Sequence, residues 1–504
     1  MFACAIKGGQ KMERIKIWFA TAEAAPFAKT GGLADVAGSL PKALRKIGLD
    51  ARVVMPKYSQ IPQEYLNKMS FLGYIYVDLS WRREYCGIFK LEHEGVPYYF
   101  LDNEHFFNRS YYYGQPDDGE RFTFFCKAIL EVLPIIDFKP YLIHCNDWHT
   151  GLVPVLLDAH YRHYRNKGFY KDMHTIMTIH NLKYQGVFPK DMIDEIIGLS
   201  WDYFNNDGIE FYDNINFLKA GIAFSTKVTT VSKTYAEEIK TEYFGENLAG
   251  IIGKRSLDLS GIINGIDYER NNPLKDKRLY AAFGPDDMTG KQKNKLMMQK
   301  DMKLRLDCDI PLIGLISRLV DQKGLDLIDR MISELLNMDL QLIVLGTGDK
   351  KYEDMFLWAQ GVYPEKMSAN IRYDGVLAQR IYAACDMFLM PSLFEPCGLS
   401  QMFAMRYGTV PIVRETGGLK DTVIPYNEFT GVGTGFSFAN YNAHEMKEAI
   451  LRAMNAYKDK QKWQSIVRQC MSMDFSWEKS AWEYANLYGQ ICGISVKSPE
   501  NPRF

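Results

Sequence analysis

Short apolar runs alternate with longer stretches whose apolar positions recur three and four residues apart, almost throughout the 504-residue chain. That alternation is the sequence form of a parallel α/β sheet. Residues 15–20, 51–55, 142–145, 175–178 and 227–231 read as strands of a first half, and 310–316, 340–345, 387–390 and 410–413 as strands of a second. Between the first two, Leu33, Val36, Ala37, Leu40, Leu44 and Ile47 fall on one helix face, and Gly48 stops that helix. The stretch 74–101 differs: 74–79, 88–92 and 96–101 are short, aromatic and alternating, with Glu94-Gly95 as a turn, and read as an antiparallel excursion on the first domain.

A chain this long exceeds what one core serves, so two domains are expected. No Pro-rich or low-complexity linker separates them, and the turn signal Asn264-Gly265-Ile266-Asp267 sets the boundary: 1–263, then 264–475, then a helical stretch in 476–504. Residues 1–11 read as a loose extension, with Met12 an alternative start. The apolar run after Arg14 and Lys16 is cut off by Glu23, too short for a signal peptide, and no later run approaches a membrane span. The hexapeptide Thr30-Gly31-Gly32-Leu33-Ala34-Asp35 recurs as Thr416-Gly417-Gly418-Leu419-Lys420-Asp421, each copy between a strand and a helix. Two similar domains facing one cleft are therefore expected.

A formal net charge of −1 argues against a partner that is nucleic acid or an anionic membrane, so any anion site is a local cluster. Nine cysteines without a C-x-x-C pair suit reduced thiols in the cytoplasm. The run His144-Cys145-Asn146-Asp147-Trp148-His149 fits no zinc spacing, and no metal is expected.

Three segments carry candidate chemistry. Lys29-Thr30-Gly31-Gly32 sits where free N–H groups and the helix dipole favour an anion, although a tight turn with a surface lysine accounts for it equally well. Arg318 and Lys323 lie at and beyond a strand's carboxyl end, where open α/β sheets bind ligands; two cations suit a diphosphate, or are the solvated ends of a loop. In Pro391-Ser392-Leu393-Phe394-Glu395-Pro396-Cys397-Gly398-Leu399, a carboxylate free to take sugar hydroxyls precedes backbone N–H donors at a helix start. In the first half, Asp147, Trp148 and His149 follow one strand and His180 and Asn181 another. Trp148 stacks on a sugar or merely packs, and His180 acts as a base or merely hydrogen-bonds.

Taken in order, Lys-Thr-Gly-Gly-Leu-Ala-Asp-Val at 29–36, His-Asn-Leu-Lys-Tyr-Gln-Gly at 180–186, Ser-Arg-Leu…Gln-Lys-Gly at 317–324 and Pro-Ser…Phe-Glu-Pro-Cys-Gly-Leu at 391–399 resemble the bacterial glycogen synthase and plant starch synthase family over about residues 13–490. The resemblance implies a GT-B fold of two Rossmann-like domains and transfer of glucose, with retention, from ADP-glucose to an α-1,4-glucan acceptor, without metal or other cofactor. It further implies that Lys29, Arg318 and Lys323 neutralise the departing diphosphate, helped by N–H groups at Gly31, Gly32, Cys397, Gly398 and Leu399. Glu395 and His180 would hold the donor glucose, Asn264 would touch the donor, and Asp147, Trp148, His149, Asn181 and Gln185 would lie towards the acceptor. The final helix would return to the first domain. A second glutamate that many retaining GT-B enzymes carry eight residues after the first is Phe403 here, as in bacterial glycogen synthases. Rival readings are another GT-B transferase, with UDP-glucose or a different acceptor, and a two-domain sugar-binding protein without catalysis. The latter has no use for three converging cations.

Overall fold

The computed structural model describes residues 14–162, 167–494 and 496; the expectations for residues 1–11 and Met12 lie outside them. The chain divides into two compact units, one of residues 1–231, 236–265 and 477–504, the other of 232–235 and 266–476.

The first unit holds β1 (Lys16–Ala20), β2 (Asp50–Pro56), β3 (Ser70–Leu79), β4 (Arg82–His93), β5 (Val96–Asp102), β6 (Leu142–Asn146), β7 (His174–Ile179), β8 (Val187–Pro189), β9 (Glu210–Phe211), β10 (Asn214–Asn216), β11 (Lys227–Thr230) and β12 (Leu259–Gly261). Nine of these form one sheet in the order β12-β11-β7-β6-β1-β2-β5-β4-β3, and β8-β10-β9 form a small second sheet. The 74–101 stretch is part of the main sheet: β5 runs parallel to β2 and antiparallel to β4, so β4 and β3 continue the sheet to its edge. Every residue of β6 is buried, as in a strand covered on both faces, and its two polar members are satisfied internally, His144 by Tyr488 and Thr178 and Asn146 by Ala20 O. Helix α1 (Gly32–Lys46) buries Leu33, Val36, Ala37, Leu40 and Leu44, and ends at Gly48, whose φ of 101° only glycine adopts easily. Helix α2 (Asp118–Ile135) packs against β3. The last helix, Trp477–Cys492, lies in this unit against α1, with Ser480 Oγ donating to Ile263 O and Tyr488 Oη 2.8 Å from His144 Nδ1.

The second unit is an all-parallel sheet of β13 (Leu312–Ile316), β14 (Gln341–Leu345), β15 (Met367–Asn370), β16 (Met387–Met390), β17 (Val410–Arg414) and β18 (Phe436–Phe438), in the order β15-β14-β13-β16-β17-β18. Its helices include α3 (Leu325–Asn337), α4 (Ser400–Arg406) and α5 (Gly417–Thr422). The buried face of α3 carries Leu325, Ile328, Met331, Ile332 and Leu335, the spacing of one apolar stripe. Strands β12, β15 and β18 escape the periodicity reading. They have three or four residues, and Met-Ser-Ala-Asn of β15 lacks the β-branched signal.

Candidate active site

In an open α/β sheet, ligands settle outside the carboxyl ends of the strands where the strand order reverses. In the first unit the chain runs from β1 outward through β2 and later returns to the other side with β6, so the reversal lies between β1 and β6. In the second unit it lies between β13 and β16. The loops at these two places are residues 21–31 and 147–151, and residues 317–324 and 391–399. Most of the residues singled out by chemistry fall on them.

After β1, the loop folds over a buried carboxylate that sequence reasoning missed. Glu23 accepts the Thr30 N–H at 2.5 Å, the Thr30 hydroxyl at 2.7 Å and the Gly31 N–H at 3.4 Å. The Gly31 N–H, expected on a diphosphate, is thus engaged by the protein's own carboxylate. Gly32 is the first residue of α1, where helix N–H groups lack an internal partner. The exposed Lys29 lies on Asp35 of the first helical turn, with its Nζ 2.6 and 2.8 Å from the two oxygens.

Asp147, after β6, has φ 55°, rare for a residue with a side chain. Its buried Oδ1 accepts the His180 backbone N–H at 2.8 Å, and its own N–H bonds Thr178 O. Burial pushes this carboxyl up to about 7, although the N–H groups of His180 and Asn181 pull it down. The His180 ring meets Asn146 Oδ1 through Nε2 at 2.9 Å. An amide oxygen only accepts, so Nε2 carries the hydrogen and Nδ1 keeps a lone pair. Burial lowers this imidazole to about 3. A group that reluctant to take a proton is a neutral hydrogen-bonding partner at pH 7, not a general base.

The acceptor-side expectations fare unevenly. Trp148 is buried between His149, Phe122 and Phe188, and Gly186 (φ 65°) fits beneath it because a Cβ there would stand 2.4 Å from the indole. It packs. Gln185 is spent internally, donating to Leu182 O and Glu246 O and accepting from Asn216 Nδ2. Asn181 Oδ1 closes a turn on the Lys183 N–H. His149 is buried with neither ring nitrogen hydrogen-bonded among the described residues, and burial holds it neutral. Asn264 closes the 236–265 segment of the first unit, with its buried Oδ1 likewise unbonded.

In the second unit the loops after β13 and β16 are locked together. Leu393 N–H donates to Gln322 O, and Gly324 (φ 68°) passes so close to Pro391 that a Cβ would sit 2.1 Å from its carbonyl oxygen. This brings Lys323 Nζ to 2.6 Å from Glu395 Oε2, an ion pair that is largely buried, with Ser392 Oγ on the same oxygen at 3.2 Å. A third loop supports Glu395 from behind: the Gly418 N–H donates to the carbonyls of Glu395 and Pro396, both at 3.1 Å. Cys397 is buried, Gly398 turns the chain with φ 70°, and Leu399 leads into α4. Arg318 stands exposed on the same edge. So does Tyr373, 86% exposed in the loop after β15, which sequence reasoning also missed. Phe403, on α4, packs near Tyr382. Among the described residues, one group has metal-ligand proximity, Asp307, Cys308 and Asp309, and there Asp307 Oδ1 accepts the Asp309 N–H as in an ordinary Asx turn. No helix among the described residues is long and apolar enough to cross a membrane.

Residues 16–254 match the family model for the starch synthase catalytic domain, and residues 299–469 match that for glycosyl transferases group 1. The chain is 53% identical to the glycogen synthase of Caldicellulosiruptor saccharolyticus over 478 residues (95% of this chain, 100% of that one). It is 52% identical to that of Clostridium novyi over 479 residues (95% and 99%). The catalytic domain of starch synthase IV from Arabidopsis thaliana, solved bound to ADP and acarbose, superposes with a TM-score of 0.88 at 35% identity, covering 95% of this chain and 100% of that one. Sucrose-phosphate synthase from Thermosynechococcus elongatus, at 18% identity and a TM-score of 0.60 over 95% of this chain and 100% of that one, shares the fold. The chain belongs to the glycogen and starch synthases, the family of α-1,4-glucosyltransferases built on the GT-B fold.

Proposed function

We propose that this chain transfers glucose from ADP-glucose to the non-reducing end of an α-1,4-glucan, with retention of configuration and without a metal. The observation that carries the reading is the Lys323–Glu395 pair at the strand reversal of the second unit. The ammonium and the carboxylate satisfy each other. A sugar nucleotide offers each a better partner, phosphate oxygens for Lys323 and glucose hydroxyls for Glu395, so binding exchanges partners without leaving a charge unpaired.

Arg318 and Lys323 then neutralise the diphosphate as it departs, and Lys29, once it leaves Asp35, is a further cation for phosphate oxygens. The open ring of Tyr373 suits the nucleobase. His180, neutral and pinned through its backbone by Asp147, holds a glucose hydroxyl and turns its carbonyl oxygen towards the positive anomeric carbon. The bond from the anomeric carbon to the phosphate oxygen breaks. The acceptor's 4-hydroxyl attacks from the same face, and its proton passes to the leaving phosphate, so no side-chain base is required. Asn264 and His149, with buried polar atoms unbonded among the described residues, would accept from or donate to sugar hydroxyls.

Transfer to glycogen, followed with ADP-glucose and UDP-glucose in parallel in the presence of EDTA, tests this. The expected result is transfer from ADP-glucose undiminished by EDTA. Transfer from UDP-glucose alone would overturn the donor assignment, and loss of transfer with EDTA would overturn the role given to the fixed cations.

A further inference from the structure

The turn at 397–399 is held from behind by a side chain to which the chemistry above gives no role. Gln401, in the first turn of α4, is wholly buried. Its Nε2 donates to Cys397 O at 3.1 Å, to Gly398 O at 2.9 Å and to Thr422 Oγ1 at 3.1 Å. The Thr422 hydroxyl spends its own hydrogen on Gly418 O at 2.6 Å, so towards Gln401 it accepts. Three acceptors around one nitrogen fix which way the amide is turned.

The other end of the amide is not satisfied. Oε1 is buried and unbonded among the described residues, and it lies against Gly398, where a Cβ would stand 2.5 Å from it. Burying an unpaired acceptor destabilises the fold, and a methionine of similar length would fill the place without one. The glutamine is therefore explained by its donor side, where the two carbonyls lie.

Those carbonyls set the direction of two N–H groups. In a trans peptide, as both of these are, the C=O of one residue and the N–H of the next point opposite ways. With Cys397 O and Gly398 O drawn in to Gln401, the N–H groups of Gly398 and Leu399 are turned outward. Gly398 has φ 70°, and Leu399 follows in the right-handed region with φ −111° and ψ −27°. That succession gathers neighbouring N–H groups around a hollow suited to an anionic oxygen. Neither N–H meets an acceptor among the described residues. The same bonds reach the buttress: the Gly418 N–H that supports the carbonyls of Glu395 and Pro396 belongs to the residue whose own carbonyl holds Thr422.

We propose that Gln401 is a positioning residue for the donor, presenting the Gly398 and Leu399 N–H groups to the phosphate that bears the glucose. The proposal rests on the sugar-nucleotide reading given above. If Glu395 takes the glucose, groups three and four residues further on meet the phosphate joined to that sugar, not the one next to the nucleoside. Gln401 touches no substrate; it acts through the backbone of the turn.

The test is Gln401→Met, which keeps the length and helix preference of the side chain and removes its donor. Binding of ADP and of AMP to the full chain is measured by titration calorimetry, beside kinetics in both substrates. ADP is expected to bind about tenfold more weakly and AMP as before, because only ADP carries the phosphate in question. kcat/KM for the sugar nucleotide should fall by about tenfold or more, with KM for glycogen unaltered. A glutamine that merely supports the fold would weaken both nucleotides together. That result, or unaltered ADP binding, would overturn the proposal. If Gln401→Met fails to fold, Thr422→Val decides, since it leaves the amide in place and removes the hydroxyl that orients it. About threefold weaker ADP binding with AMP unchanged is then expected, and unaltered ADP binding overturns the proposal. If the unaltered protein bound no nucleoside diphosphate, the donor reading itself would fall, and this one with it.

Discussion

The Thr-Gly-Gly-Leu copies at 30–33 and 416–419 both follow a strand and open a helix, but their glycines answer to different neighbours. Gly31 has φ −154°, ordinary extended backbone, and a Cβ added there would meet nothing within 4 Å. Among the described residues no neighbour demands glycine at that place. Gly417 has φ 45° and a Cβ site 2.0 Å from Glu395 O, and that of Gly418 lies 2.0 Å from Cys397 O. There the protein itself demands glycine, to seat the Glu395 loop. The aspartates differ as well. Asp35 holds Lys29, whereas Asp421 receives the hydroxyls of Ser232 and Thr234 within the second unit. One hexapeptide thus borders open space in one place and forms a buttress in the other.

This contrast can be broken at graded cost. The largest effect belongs to the residue that the second copy positions: Glu395→Ala is expected to lower kcat by roughly 10²–10³, the scale of removing one electrostatic stabiliser, and a near-unaltered rate would remove Glu395 from the site. Next comes the buttress. Gly418→Ala must displace a backbone carbonyl, so it should cost about 1–3 kcal/mol in chemical denaturation and lower activity as the Glu395 loop shifts; unchanged stability would contradict the close approach. Gly31→Ala should leave stability within about 0.5 kcal/mol of the parent yet raise KM for the donor by around tenfold. If it destabilised the fold instead, the two copies would be doing the same work.

A pH-dependent effect concerns Asp147, whose folded-state value of about 7 lies above the ~3.9 of an unfolded aspartate. The folded state therefore holds the extra proton between these limits. The associated stability is complete below about pH 4 and is lost as pH rises towards 7. Thermal unfolding across that window should show a downward slope that Asp147→Asn flattens; equal slopes would mean that the carboxyl titrates normally.

Periodicity sufficed for the central strands of both sheets, because residues such as those of β14 and β16 are buried on two faces and are nearly all apolar. Edge strands such as β15 and β18 are short and less constrained, and they left no such mark. Two segments singled out by their local chemistry do meet in the fold, at the Lys323–Glu395 ion pair. The candidate site was illegible where a role depends on what lies across the loop. Trp148 offered a sugar plate and lies packed on His149, and Gln185 offered an acceptor contact and accepts from Asn216. Glu23 looked like the end of an apolar run and turned out to be the anchor of the 30–31 turn.

By itself the sequence determined the α/β class, the two-fold repetition of the domain pattern and the family, since apolar spacing and contiguous motifs are properties of the chain taken in order. Only the tertiary structure decided which loops become neighbours. Strand order sets β6 beside β1 and β16 beside β13, and residues tens of positions apart meet there because parallel strands leave their loops on one edge. Hydrogen bonds and close contacts act across that edge, and linear order carries no record of them.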